Sequence, residues 1–205
     1  ISEQDHLSYL PALFQVSPEK LYYFDFLNPR LYAEAYHLVL QASERGDNIG
    51  VDEFPTLESF VEVLERADNF MVLDPSTRRL EAVLIIVPCT YSRSADPLYA
   101  DGYIIVEENL QKYDIYRELL KISIKFVKDL KYEGCLVNTF ANHTNSISSL
   151  RAEGFVPMGC IPRSGYIKGQ GWTESMILFK DFKGYKFPVR FIHSFIHSFI
   201  HSFIH

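Results

Sequence analysis

The hydrophobic pattern is sharpest between residues 101 and 155. An apolar, β-branched run ends at Ile104, Ile105 and Val106, and a polar turn through Gln111 and Asp114 follows it. The period then lengthens: Leu119, Ile122, Phe126 and Leu130 recur on one helical stripe, while Arg117, Lys121, Lys125, Lys128 and Lys131 mostly point away. After Gly134, read as the glycine closing that helix, a second apolar run occupies 135–140. Strand period, helix period and a second apolar run in that order predict a βαβ unit. The polar turn places helix N-terminal amides where an anion can meet them, which makes it the first candidate for a functional site.

Upstream, residues 1–20 are mixed and hold Pro11 and Pro18, which predicts an irregular or short helical lead-in. Asn28 and Pro29 open a helix carrying Leu31, Ala35, Leu38 and Ala42, and Gly46 to Gly50 break it. A second helix starts at Thr56 as N-cap, with Ser59 in its first turn and Phe60, Val63, Leu64 and Ala67 on its apolar side. Residues 69–73 and 80–87 read as strands of a hairpin around Asp74, Pro75 and Ser76. Downstream come a strand at 156–161, a Pro-Arg-Ser-Gly loop and a last strand at 175–179. The sum is an α+β fold with a mixed sheet, in a single domain over residues 1–185. Residues 186–205 are a tail of another kind, a Phe-Ile-His-Ser repeat with histidines at 193, 197, 201 and 205. Histidines four apart on a helix can hold a metal, but a low-complexity end is the plainer reading, and no metal is expected.

Composition narrows the function. The chain has 205 residues, 47% hydrophobic, with 16 Phe and 13 Tyr, which is the composition of a folded protein. A net charge of −6 argues against a nucleic-acid partner, whose binding face would be basic. No apolar run approaches the roughly 20 residues that span a bilayer, so no membrane association is expected. Cys89, Cys135 and Cys160 are odd in number and far apart, which suggests buried thiols in the cytoplasm. Asp101 at the start of the central strand, and Glu107 and Glu108 at its end, read by themselves as surface acids.

With these elements in order, the chain resembles the GNAT superfamily of acyl-CoA-dependent N-acetyltransferases over roughly residues 50–182. Ser146 and Ile147, then Gly154 and Phe155, match two superfamily landmarks. Segments 88–94 (Pro88, Tyr91, Arg93, Ser94), 100–103 (Gly102, Tyr103), 159–169 (Gly159, Pro162, Gly165, Lys168, Gly169) and 179–182 look most like the fungal acetyltransferases that inactivate proline analogues such as azetidine-2-carboxylate. The resemblance implies a GNAT-like central sheet, mixed and mostly antiparallel, flanked by helices and splayed around 101–106 and 136–140. Acetyl-CoA would enter the splay as co-substrate. Its pantetheine arm would pair with the main chain at Ile105 and Val106, and its pyrophosphate would rest on Gln111, Lys112, Tyr113, Asp114, Ile115 and Tyr116, with Asn142 and Asn145 nearby. Asn138 would hold the acetyl oxygen or the acceptor, Asp101 or His143 would take the amine proton, and Tyr103 and Arg93 would line the acceptor pocket. The acceptor would be a small-molecule amine or amino-acid analogue, with a homodimer left open.

Three positions depart from that pattern. Asp114 and Tyr116 stand where the superfamily loop has glycines, and Leu150 stands where a tyrosine acid is frequent. A carboxylate about 4 Å from a phosphate repels it by roughly 1 kcal/mol in water and about 4 kcal/mol at an effective dielectric near 20. The alternative is therefore a GNAT-fold binding or regulatory module with weak or no cofactor binding.

Overall fold

A computed structural model of the chain describes residues 7–18, 20–91, 98–108, 110 and 115–184. Eight strands form one sheet: β1 (Ala12–Ser17), β2 (Lys20–Phe26), β3 (Asp68–Leu73), β4 (Leu80–Pro88), β5 (Tyr99–Val106), β6 (Gly134–Phe140), β7 (Val156–Ile167) and β8 (Gly171–Asp181), in the order β1-β2-β3-β4-β5-β6-β8-β7. Only β5 and β6 run parallel; every other neighbouring pair is antiparallel. This is the mixed α+β sheet that the sequence pattern predicts, mostly antiparallel as the family resemblance implies.

The helices are α1 (Tyr32–Arg45), α2 (Leu57–Leu64), α3 (Ile115–Asp129) and α4 (Thr144–Ala152). They cover both faces because the inner strands are apolar on both. Along β4, Ala82, Leu84 and Ile86 join the core under α3 and α4, where Phe24, Phe70 and Phe126 interlock. The alternate residues Val83 and Ile85 join the core under α1 and α2 with Phe60 and Leu64. Of these large core rings, Phe24, Phe60, Phe70 and Phe126 are fully buried, each removing on the order of 2–3 kcal/mol worth of apolar surface from water. Local signals read from sequence hold at the helix starts. Thr56 and Ser59 form a reciprocal capping box on α2, each backbone N–H donating to the other's hydroxyl at 3.2 Å. Asn28 Oδ1 accepts from Arg30 N at 3.0 Å ahead of a short 3₁₀ turn, Pro29–Leu31, that leads into α1.

The structure corrects three expectations. The N-terminal lead-in is strand, not irregular chain: β1 pairs with β2, with Leu13 exposed and Val16 buried, a period-two pattern that the flanking prolines obscure. The Pro-Arg-Ser-Gly segment does not end its strand but forms a bulge inside β7 between Ile161 and Gly165, so β7 and β8 make a long hairpin. Gly134 does not close α3. Lys131, at φ 71°, takes the left-handed turn after the helix, and Gly134 opens β6, where a Cβ would stand 2.7 Å from the Lys180 carbonyl oxygen. The repeat tail at 186–205 lies outside the described residues.

Candidate active site

β5 and β6 meet through only two residue pairs, Tyr99 with Gly134 and Ala100 with Cys135, and then part. On its other side β5 stays in register with β4 through Val106. Cys89 N donates to Tyr99 O and Glu107 N to Glu81 O, both at 2.9 Å, so odd-numbered residues of β5 spend their main-chain groups on β4. The even-numbered Gly102, Ile104 and Val106 therefore turn theirs toward the gap. This shifts the expected strand contact by one residue: Ile105 is bonded to β4 and its side chain lies in the core under α1 and α2, while Ile104 takes its place at the gap.

Asn48 props the gap open. It sits at φ 60°, a conformation asparagine tolerates better than most residues. Its Nδ2 donates to Asn138 O at 3.2 Å and its Oδ1 accepts from Phe140 N at 2.5 Å. One side chain thus satisfies the edge of β6 that a neighbouring strand would otherwise pair. Arg45, at the end of α1, donates through Nη2 to Val106 O at 3.1 Å. His143 donates from Nε2 to Gly46 O at 2.6 Å, tying the start of α4 to the same loop.

Two cavities open from this region. The first, about 740 Å³, runs between the diverging strands, α3 and α4; Tyr116, Asn142, His143 and Asn145 line it along with the gap edge of β5. Asn142 Nδ2 donates to Gln170 Oε1 at 2.9 Å at its rim. The second, about 440 Å³, is walled by Asp52, Glu53, Asn138, Phe140, Tyr166 and Trp172. Both cavities reach Asn48, Asp101, Gly102 and Tyr103. The structure therefore places Tyr116, Asn142, His143 and Asn145 on the first cavity, Asn138 on the second, and Asp101 and Tyr103 on both. Ile115 instead buries its side chain in the core. Arg93, Gln111, Lys112, Tyr113 and Asp114 lie outside the described residues.

The electrostatics single out Asp101. Burial, chiefly, raises its carboxyl from an ordinary 3.8 to about 6, with the negative charge of Glu53 adding and the Gly102 N–H, donating to Oδ1 at 2.7 Å, opposing. Glu53 is pushed up as well, by burial first, although its side chain still reaches solvent; the Gly50 N–H, at 2.9 Å, and the Tyr103 hydroxyl oppose the rise. Tyr103 is raised above its usual range by burial and then by Glu53, so its hydroxyl keeps its proton. Tyr116 is pushed up to about 12 by burial, with the Ser146 hydroxyl opposing. The remaining acids of the strand end are elsewhere: Glu107 is buried against Arg79 Nη2 at 2.7 Å and Glu108 is exposed, and neither is among the lining residues of these two cavities. Leu150 is wholly buried in the core, so that position offers no acid. Sequence reading missed Asn48 and Glu53, which sit in an unpatterned turn some fifty residues before β5 and become neighbours only on folding.

Among solved structures, this arrangement matches a GCN5-related N-acetyltransferase from Kribbella flavida with TM-score 0.68 at 12% identity, over 80% of this chain and 99% of the other. The chain has the GNAT fold. A second match is yncA from Salmonella typhimurium, solved with its cofactor acetyl-CoA, at TM-score 0.67 and 13% identity over 82% and 97% of the two chains. A third is spermidine N-acetyltransferase from Vibrio cholerae in complex with CoA and spermine, at 0.63 and 13% over 79% and 96%. No protein-family model matches the chain, and neither does any curated protein sequence. At identities of 12–13%, these matches show a likeness of fold.

Proposed function

We propose that this GNAT-fold protein is an N-acetyltransferase that moves an acetyl group from acetyl-CoA to a small-molecule amine by direct attack. One observation carries the reading: the pairing of β5 with β6 stops after two residues and opens onto two cavities that share Asp101 and Tyr103. The chain's own groups fit the cofactor. Gly102 and Ile104 present main-chain donors and acceptors along the gap, to which a pantetheine arm can add like a strand, and 740 Å³ is within the range of ligand sites. The yncA structure, with acetyl-CoA bound in the same fold, supports the choice of cofactor.

Acetyl-CoA supplies the thioester carbonyl; the protein supplies position and proton traffic. An amine entering by the second cavity reaches Asp101 at the junction. Asp101, with a pKa of about 6, is ionised at neutral pH yet basic enough to take the ammonium proton. The amine nitrogen then bonds to the acetyl carbon as the carbon–sulfur bond breaks. Asn138 and Tyr103 orient the acceptor from the second cavity, and Asn142 and Asn145 border the cofactor side. Tyr116, held protonated by burial, lines the first cavity on the cofactor side, and the core position of Leu150 supplies no acid. His143 holds the 46–48 loop through Gly46 instead of acting as base. The confined second cavity supports a small acceptor, and cysteines that are odd in number and far apart in the chain favour the cytoplasm.

The test is calorimetry with acetyl-CoA followed by mass spectrometry of an amine mixture incubated with both. Binding with micromolar to millimolar affinity and a 42-Da gain on one class of amine is expected. No heat and no thermal shift at millimolar acetyl-CoA would remove the transferase reading and leave the binding-module alternative.

A further inference from the structure

The second cavity has a chemistry of its own. Three acids line it, Asp52, Glu53 and Asp101, and its walls are aromatic, with Tyr103, Phe140, Tyr166 and Trp172; no Lys, Arg or His is among its described lining residues. Trp172 is 66% exposed and stands edge-on to Tyr166, with ring centres 5.7 Å apart and planes at 82°. A large ring left in solvent at a cavity mouth is available to a ligand. Glu53 is fastened in place, because its Oε2 accepts from Gly50 N at 2.9 Å within a tight turn. The wall is shaped as well: a Cβ on Gly165 would stand 2.5 Å from Cε1 of Phe140, so only glycine lets that ring lie where it does.

We infer that this cavity selects a primary amine with an aromatic or apolar body and no carboxylate, and rejects amino acids. An ammonium between Glu53 and Asp101 exchanges water for two anionic acceptors, while Trp172 and Tyr166 offer ring faces to the body and to the charge. An α-carboxylate beside that ammonium would share a 440 Å³ space with both acids. At about 6 Å from one acid alone, with an effective dielectric near 20, the repulsion weakens binding by about a hundredfold. An acceptor of the proline-analogue type, which carries a carboxylate, is excluded on this ground. The inference takes its chemistry from the transferase reading, but the binding preference stands without it.

Trp172 is the only tryptophan in the chain, so its fluorescence reports the cavity without a cofactor. The full chain is titrated with phenethylamine, L-phenylalanine and 3-phenylpropionate. The expected result is saturable quenching by phenethylamine, affinity about a hundredfold weaker for L-phenylalanine, and none detectable for 3-phenylpropionate. Glu53→Gln, checked for folding by circular dichroism, is expected to weaken phenethylamine about tenfold and narrow the gap to L-phenylalanine. L-phenylalanine binding within threefold of the amine overturns the inference, as does an unchanged Glu53→Gln affinity, or no phenethylamine signal by either fluorescence or calorimetry. Acetyl-CoA calorimetry on the same samples separates the two readings. If acetyl-CoA fails to bind while the amine preference holds, only the transferase reading falls; if the reverse is seen, only this one does.

Discussion

Asp101 is the residue at which function and stability should pull in opposite directions. Its folded pKa of about 6 lies above the ordinary 3.8, so the folded state holds its proton more tightly than the unfolded chain does. At pH below both values the carboxyl is neutral in both states and stability does not suffer. As pH rises through 4 to 6 the unfolded chain ionises first, and above 6 the folded protein must carry a charge it solvates poorly. The full cost above pH 7 is about 3 kcal/mol, taking 1.36 kcal/mol per pH unit over the interval from 3.8 to about 6. Asp101→Asn removes the charge and keeps an oxygen for the Gly102 N–H. The variant should therefore be more stable than wild type by up to about 3 kcal/mol at pH 8 and by only about 0.5 kcal/mol at pH 4. For a chain of this size the gain at pH 8 is about 5–12 °C in Tm. Acetyl transfer should fall by about 10²–10⁴, the range for losing a general base. Urea denaturation at both pH values, with a thiol-release assay, reads the two effects. An equal change in stability at pH 4 and pH 8, or a destabilised variant at pH 8, would refute the burial argument; undiminished turnover would refute the role of base.

Further expectations concern the frame around the site. Asn48→Ala loses two bonds to β6 at about 1 kcal/mol each and puts alanine in a left-handed conformation for about 1 kcal/mol more. Its Tm should fall by roughly 5–12 °C, and acetyl-CoA affinity should drop in calorimetry; Asn48→Gly should recover only the conformational part. Gly165→Ala should cost about 1–3 kcal/mol by displacing the Phe140 ring, raising the acceptor KM while leaving acetyl-CoA binding unchanged. In thiol titration with Ellman's reagent, exposed Cys160 should react in the folded protein, more slowly at neutral pH than a free thiol because partial burial and Glu174 raise its pKa. Buried Cys89 and Cys135 should react only on unfolding.

The sequence by itself determined the elements whose signal is local. The α3 stripe, the Thr56 cap, the β3–β4 hairpin and the apolar run of β5 are written in residues a few positions apart, and spacing within one helix turn or one pleat decides them. From these and a family likeness, the α+β fold and the place of the splay were legible. Where the local signal was weak it misled: prolines hid β1, and a turn-like Pro-Arg-Ser-Gly motif hid a bulge inside β7. Tertiary structure alone decided which main-chain groups face the gap, since that depends on the register of β5 against β4. It also decided that Asp101, a plain strand acid in the sequence, is half-buried within electrostatic reach of Glu53 and that Asn48 holds the edge of β6. Burial and charge act through distance in space, and those partners come from a turn whose own residues carry no periodic signal at all.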